Sequence, residues 1–168
     1  MRKIFLATLL IFMMSAATVL AANWQQIYTD NDDNVIYFDT DSVQITSMTA
    51  EREDVTFSAV YRMDYSDKGR NVLIDWYRNY SIVPAGIESL SYDITTIQFK
   101  VEGNDRYYHI SDRDSYTANG SEIPGMHYTN AEPNWIKIPV ASVVDVEYNE
   151  AKLIVDGKLY KRIDSEGI

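Results

Sequence analysis

The residues best suited to binding a cation lie in one acidic loop. Asp30, Asp32 and Asn34 match the first, third and fifth ligand positions of an EF-hand calcium loop. Asp41 falls at the last position, where a bidentate Glu is usual, and Val35 replaces the Gly that the sharp turn needs. The same residue types favour a solvated hairpin turn, so we expect a turn rather than a calcium site.

The two histidines and the paired acids give weaker signals. His109 lies in a predicted strand and His127 in a loop, and neither has the H-x-x-x-H spacing of a metal motif, so we expect both to be structural. Asp112 and Asp114 share one face of a strand, but a glycosidase pair also needs a cleft around the two carboxyls. With 25 acidic residues such pairs arise by chance, and we predict no catalytic, metal-binding or cofactor-binding residue.

Tyrosine is the most suggestive residue type. The chain contains 13 Tyr, which offer a large contact area and a polar tip, as a binding surface requires. Antiparallel sheets also favour Tyr, so a structural role is the alternative. If a surface binds a partner, we expect it on the polar face of the sheet near Arg62, Tyr107 and Tyr116.

Composition excludes several functional classes. The chain of 168 residues has no Cys, 15 Lys and Arg, and 25 Asp and Glu, for a net charge of −10. Disulfides, Cys-based zinc sites and thiol nucleophiles are therefore excluded. The acidic charge argues against nucleic acid, whose phosphates need a basic surface. The sequence also lacks the G-x-S-x-G motif of serine hydrolases and a Gly-rich phosphate loop.

The first 21 residues have the pattern of a secretory signal peptide. Arg2 and Lys3 precede the apolar run Ile4–Met14, and small residues lead to Ala21, after which we expect cleavage. An uncleaved membrane anchor is the alternative, although a membrane-spanning helix needs about 20 apolar residues. Cleavage would remove two basic groups and no acid, so the mature chain from Ala22 would carry a charge of −12.

The elements that must position any site are mostly strands. Val55 to Tyr65 alternates apolar and polar residues, as a half-buried strand does. Asn119-Gly120 predicts a type I′ hairpin turn. The other predicted strands are Trp24 to Thr29, Val35 to Asp39, Val43 to Thr46, Ser89 to Val101, Arg106 to Ser111 and a short one in Trp135 to Pro139.

Two segments change to a helical period. Asp67 to Tyr80 places Leu73, Trp76, Tyr77 and Tyr80 on one stripe, with Ser66 or Asp67 as its N-cap; a strand through Val72, Ile74 and Trp76 is the alternative.

The second helix begins after Ser142, with Asp145 in a capping-box position, and is expected to end near Leu153 or Val155 with Gly157 as the C-cap. A hairpin at Asp156-Gly157 is the alternative. We therefore predict one α+β domain over 22–168, with a tail from about 157. It is an antiparallel β-sheet with an inserted helix and a C-terminal helix packed on one side.

Short motifs in the same order resemble the surface-adhesin protein E family. Trp24, Tyr37-Phe38-Asp39 and Ser42 resemble its opening W…YxD…S pattern, and residues 135–142 resemble its W-x-x-I-P-x-x-S entry into the terminal helix. The similarity runs to about Val155. The resemblance implies the fold, and it implies adhesion, because adhesin members bind host matrix and plasma proteins. Family members commonly hold the terminal helix with a disulfide, so here we expect apolar packing instead.

We therefore predict an exported, non-enzymatic domain, in the periplasm, at the cell surface or secreted, that binds an envelope or host protein through its sheet. Such a surface predicts an exposed aromatic patch of more than a few hundred Å². The alternative is an exported small-ligand carrier or a hydrolase with a carboxylate site. That alternative predicts a pocket with converging polar groups and a carboxyl of raised pKa. A structural envelope subunit is the third possibility.

Overall fold

The computed structural model describes residues 22–49 and 54–166. Within these ranges, eight antiparallel strands and two α-helices form the predicted α+β architecture. The strands are β1 (Trp24–Thr29), β2 (Val35–Asp39), β3 (Gln44–Met48), β4 (Val55–Asp64), β5 (Leu90–Glu102), β6 (Asp105–Thr117), β7 (Tyr128–Thr129) and β8 (Ile136–Lys137). The inserted helix α1 spans Asp67–Tyr80, a 3₁₀ turn spans Ile87–Ser89, and the C-terminal helix α2 spans Val143–Glu166.

The strands form one sheet with the order β1-β2-β4-β5-β6-β7. Strand β3 pairs with the first half of β4, and β8 pairs with the start of β6. Most predicted strand ends are correct to within one or two residues. The long antiparallel pairs β4–β5 and β5–β6 supply the platform on which the helices pack.

The alternation predicted for β4 decides which face of the sheet is buried. Val55, Phe57, Ala59 and Tyr61 are buried, whereas the residues between them are only half-buried. We call the face that carries these side chains the inner face and the opposite one the outer face. Both helices pack against the inner face, as predicted.

Helix α2 covers the larger part of the core. Tyr148, Ala151 and Val155 are buried against Phe57 and Phe99 of the inner face, and the ring of Tyr148 lies 6.0 Å from that of Phe57. Burying each large apolar side chain contributes about 1.5–3 kcal/mol. Apolar contact therefore holds this helix in a chain without Cys, as expected.

The predicted end of α2 is wrong. The helix runs through Gly157, whose φ is not positive as a C-cap glycine requires, and it continues to Glu166. The next turn has contacts of its own, because Leu159 packs against the core and Lys158 donates a hydrogen bond of 2.7 Å to the Val43 carbonyl. No separate tail begins at 157.

Strand β6 is longer than predicted. It continues past Ser111 to Thr117 because every residue of this polar stretch lies beside the equally long β5. The register shifts between Thr96 and Ile97, so the apolar alternation on β6 is interrupted there. Pairing with a neighbouring strand overrides the low strand propensity of the Asp and Ser residues.

The hairpin turn at Asn119-Gly120 exists, but it is not type I′. Gly120 has φ 82°, whereas Asn119 does not have the positive φ that a type I′ turn requires at both central residues. The Gly120 N–H donates to the Thr117 carbonyl at 2.9 Å, and the Thr117 N–H donates to the Ser121 carbonyl at 2.9 Å. This is the three-residue loop, in which a turn is followed by one left-handed residue.

No helix in residues 22–49 and 54–166 has the length and apolar character needed to cross a bilayer. The expected signal peptide, residues 1–21, lies outside the described residues.

Candidate functional site

A cleft opens between α1 and the inner face of the sheet. It consists of an inner cavity of about 280 Å³ and an outer cavity of about 470 Å³. The two share four lining residues, Tyr65, Leu73, Tyr77 and Arg113, so they form one space. Apolar side chains of α1 form one wall, and polar side chains of β5 and β6 form the other.

Asp93 is the buried acid of this cleft. Asp93 is only 3% exposed, and the Tyr65 hydroxyl donates a 2.8 Å hydrogen bond to its Oδ2 atom. Its Oδ1 atom and the Oγ atom of Ser115, directly across on β6, have no well-aligned hydrogen-bond partner among the described residues. Burial raises the pKa of Asp93, and burial together with the Asp93 charge raises the pKa of Tyr65.

Arg113 is the cation of this cleft. Its Nε atom lies 3.9 Å from Oδ2 of Asp93, which is an ion pair but too long for a hydrogen bond. Its side chain is 45% exposed and makes no hydrogen bond to any residue that the structure describes. The guanidinium therefore has N–H groups that can donate to a bound molecule.

A second buried carboxyl lies on the other side of Arg113. Glu147 of α2 is 7% exposed and borders a cavity of about 210 Å³ whose other walls are mostly apolar. Burial raises the pKa of Glu147 to about 8, and the positive charge of Arg113 offsets only part of this effect. The Tyr61 hydroxyl donates to the Glu147 backbone carbonyl at 2.7 Å, which fixes this turn of the helix on the sheet.

The outer rim of the cleft is an exposed aromatic row on α1. Val72, Trp76 and Tyr80 follow one another at intervals of four residues, with 51%, 51% and 75% of their surfaces exposed. The Trp76 ring lies 5.9 Å from the Tyr80 ring. We call the surface formed by Trp76, Tyr80 and the adjoining aliphatic side chain of Val72 the aromatic surface. The predicted stripe is therefore split, because Leu73 and Tyr77 turn towards the cleft while Trp76 and Tyr80 face solvent.

None of three comparisons found a match. They were made with protein-family models, with curated proteins and with solved structures. The resemblance to surface-adhesin protein E stays a prediction, and the site has to be interpreted from its own chemistry.

The binding residues predicted on the sheet all lie on the outer face, but only two of them are close together. Arg62 lies 4.1 Å over the Tyr92 ring, and Tyr92 stacks on Tyr116 at 5.1 Å. Tyr107 lies near the opposite end of β6, with Lys100 5.3 Å from its ring. These aromatic side chains are half-buried against each other and against cations, whereas Trp76 and Tyr80 of α1 are exposed.

The outer face also carries a mixed cluster of acids and His127. Ligand atoms of Asp112, Asp114 and His127 lie within 4.8 Å of one another, close enough to hold a metal ion. However, His127 Nδ1 contacts Asp114, its Nε2 atom lies 2.7 Å from the Thr129 hydroxyl, and that hydroxyl donates to Asp112 at 2.8 Å. The hydrogen bond with Asp114 raises the pKa of His127. The cluster joins β7 to β6.

Two other candidates from the sequence have defined contacts within the fold. His109 is buried beside Trp135, and its Nε2 atom lies 3.0 Å from the Asn130 carbonyl. The acidic loop is a turn, because Asp30 Oδ1 accepts the N–H groups of Asp32 and Asn34, both at 2.9 Å. Its oxygens hold the backbone of the β1–β2 hairpin.

Sequence reasoning missed Asp93, Arg113 and Glu147, although two of them left a signal. Asp93 has the same parity in β5 as the buried Ile97 and Phe99. Glu147 lies four residues before Ala151 and so falls on the apolar stripe of α2. A charged residue at a core position is rare and usually paired. Arg113 gave no such signal. The register shift in β6 breaks the alternation of the strand, so the sequence does not indicate on which face of the sheet Arg113 lies.

Proposed function

We propose that the protein is an exported, non-enzymatic binding domain that recognises a partner protein through the aromatic surface of α1 and the cleft beneath it. The observation that carries this proposal is the exposed row of Val72, Trp76 and Tyr80 at the rim of a cleft that also contains the Arg113 guanidinium. Trp and Tyr are the residues that most often dominate binding energy at protein interfaces.

The extent of the aromatic surface supports this proposal. A free aromatic side chain presents roughly 200 Å², so Trp76 and Tyr80 together expose roughly 250 Å². Val72 extends the surface towards the few hundred Å² that are typical of interaction patches. The proposal moves the binding surface from the outer face of the sheet, where the sequence predicted it, to the helix.

The geometry around His127 favours a binding domain over a hydrolase. A hydroxyl next to a His whose other nitrogen contacts an Asp has the arrangement of a catalytic triad. Here the Thr129 hydroxyl donates to Asp112 at 2.8 Å, although it also lies 2.7 Å from His127 Nε2. The hydroxyl proton is therefore directed to a carboxylate and away from the imidazole that would have to remove it.

Export and the adhesin-like role are the parts of the proposal that depend on sequence alone. The apolar run behind Arg2 and Lys3 supports export, and the colinear motifs from Trp24 onwards support a role in binding envelope or host proteins. Intact-mass measurement on the exported protein tests the first part. We expect a mass that begins at Ala22.

The test of partner recognition compares three forms of the exported protein. These are the wild type, the double variant Trp76→Ser/Tyr80→Ser, and the matched outer-face variant Tyr107→Ser. Each is immobilised and exposed to an extract of the native envelope, and recovered proteins are quantified by mass spectrometry. We expect one partner to be recovered by the wild type and by Tyr107→Ser, and to be lost from the α1 variant by at least about tenfold, the scale of one hot-spot residue.

Two outcomes would contradict this proposal. Loss of the partner in Tyr107→Ser with retention in the α1 variant would place recognition on the outer face. Recovery of no specific partner by the wild type would remove protein recognition altogether. Unchanged thermal melting of both variants is the control for folding, because all three side chains lie at the surface or are only half-buried.

The cavity at Glu147 supports a second candidate function, a carrier of a small apolar ligand with one polar group. A mostly apolar cavity with a few polar groups, here the Glu147 carboxyl and the Arg113 guanidinium among them, is the usual form of such a site. Native mass spectrometry of the exported protein tests it. A bound small molecule that is absent from Glu147→Gln would support the carrier, whereas a ligand-free protein from its native host would exclude it.

A further inference from the structure

The cleft beneath α1 contains two polar groups with free hydrogen-bonding capacity. The guanidinium of Arg113 makes no hydrogen bond to a described residue, and the Oδ1 atom of Asp93 has only the poorly aligned Ser115 hydroxyl beside it, which lowers the pKa of Asp93. Asp93 and Ser115 are almost completely buried, at 3% and 2% exposure. Native proteins pair nearly all buried polar atoms, so a buried carboxylate oxygen with an unfilled acceptor position at a cavity marks a place for a bound molecule.

The arrangement of these groups defines the chemistry of that molecule. Asp93 lies directly opposite Ser115, and Arg113 precedes Ser115 by two residues on β6, so all three share the inner face. Arg113 presents N–H donors that fit a carboxylate. The Oδ1 atom of Asp93 accepts from an N–H group. The bound molecule therefore carries a carboxylate and an N–H group close to each other.

The opposite wall of the cleft requires an apolar group. Leu73 and Tyr77 of α1 line both cavities, and Met126 closes the inner one. Trp76 lies at the mouth, with its ring 5.1 Å from that of Tyr77. An apolar side chain placed here would be removed from water on several sides.

We propose that the cleft captures the last residue of the partner protein, through its free carboxylate, its backbone N–H and an apolar side chain. Arg113 binds the carboxylate, Asp93 accepts the N–H, and the wall of α1 covers the side chain. A fatty acid would supply only the carboxylate and the apolar group, leaving the free acceptor position of Asp93 Oδ1 unfilled. This inference rests on the proposed protein recognition and specifies what enters the cleft.

The test uses fluorescein-labelled hexapeptides and the exported protein. One peptide set ends in Leu, Phe or Val with a free carboxyl, and a matched set has the same sequences with an amide end. Binding is measured by fluorescence anisotropy. We expect the free-acid peptides to bind with a Kd below about 1 mM, and the amides to bind at least about tenfold more weakly, because a charge-assisted hydrogen bond is lost.

Protein variants locate the binding. Arg113→Gln is expected to weaken binding of the free-acid peptides at least about tenfold. Arg78→Gln removes the same charge from the exposed side of α1, where Arg78 pairs only with Asp75, and is expected to leave binding unchanged. Arg113→Lys keeps the charge but not the two-pronged geometry and is expected to lie between them.

Each contrary result has a distinct meaning. Equal binding of acid and amide peptides, or no binding of either, would overturn capture of a carboxyl end. Displacement of the peptides by sodium laurate with equal affinity would assign the cleft to fatty acids. In either case recognition through the aromatic surface stands if the partner is still lost from Trp76→Ser/Tyr80→Ser. It falls if that variant retains the partner or if the wild type recovers none.

Discussion

Gly69 of α1 packs directly against the side-chain amide of Asn34 in the β1–β2 turn. A Cβ atom at position 69 would lie 1.8 Å from Asn34 Oδ1, far closer than atoms approach. Asn34 Oδ1 also accepts the Ser66 N–H at 3.0 Å, and the Ser66 hydroxyl donates to the Asp32 carbonyl at 2.6 Å. The acidic turn therefore holds the first turn of the helix that carries the aromatic surface.

Replacing Gly69 by Ala is therefore expected to destabilise the protein. Overpacking of this kind costs about 1–3 kcal/mol, and here the Asn34 amide would also lose its hydrogen bonds to the turn and to Ser66. Thermal or urea unfolding measures the change. A Gly69→Ala protein as stable as the wild type would contradict the close packing of α1 on the turn.

Gly157→Ala is expected to have the opposite effect. Gly157 lies inside α2, and a Cβ there would meet no atom within 4 Å. Ala in place of Gly in a helix interior stabilises by about 0.5–1 kcal/mol. A loss of stability in the same unfolding measurement would instead show that Gly157 adopts the left-handed conformation of a C-cap and that the helix ends there.

Glu147→Gln is expected to change how stability depends on pH. The pKa of Glu147 is raised from 4.5 to about 8 in the folded protein, so the proton is bound more tightly there than in the unfolded chain. The stability contributed by the protonated group is complete below about pH 4.5 and is lost as the pH rises towards 8. Glu147→Gln does not lose stability in this way, because its side chain does not ionise.

Urea unfolding at about pH 5 and about pH 8 measures this difference. We expect Glu147→Gln to be more stable than the wild type at the higher pH, by on the order of 1–4 kcal/mol, and nearly equal to it at the lower pH. The exposed Glu88→Gln is the matched control and should leave the pH dependence unchanged. An equal pH dependence in the wild type and Glu147→Gln would refute burial of this carboxyl.

His127 is expected to titrate above its usual pKa of 6.5 because it shares a hydrogen bond with Asp114. The stabilisation by this contact is complete below pH 6.5 and is lost as the pH rises through the raised pKa, so β7 should loosen from β6 above that pKa. Proton NMR of the imidazole measures the pKa, and Asp114→Asn should lower it. No change in the Asn variant would mean that the two side chains do not interact in solution.

The sequence by itself determined which face of β4 is buried, where α1 begins and where the acidic turn lies. The alternation of β4 assigned Val55, Phe57, Ala59 and Tyr61 to the core, because side chains of a strand alternate between its faces. Ser66 and the helical period between Asp67 and Tyr80 located α1, because capping and periodicity are local properties of the chain. The role of the acidic turn could be predicted for the same reason.

Only the tertiary structure decided where the candidate site lies. Arg113, Asp93 and Glu147 come from β6, β5 and α2, and their proximity depends on strand register and on helix docking. The register shift between Thr96 and Ile97 turned Arg113 to the inner face, which no local pattern reveals. Packing also decided which residues of α1 are exposed. The helical period alone allows Trp76 and Tyr80 to face either the core or solvent, and only the docking of α1 on the sheet places them in solvent.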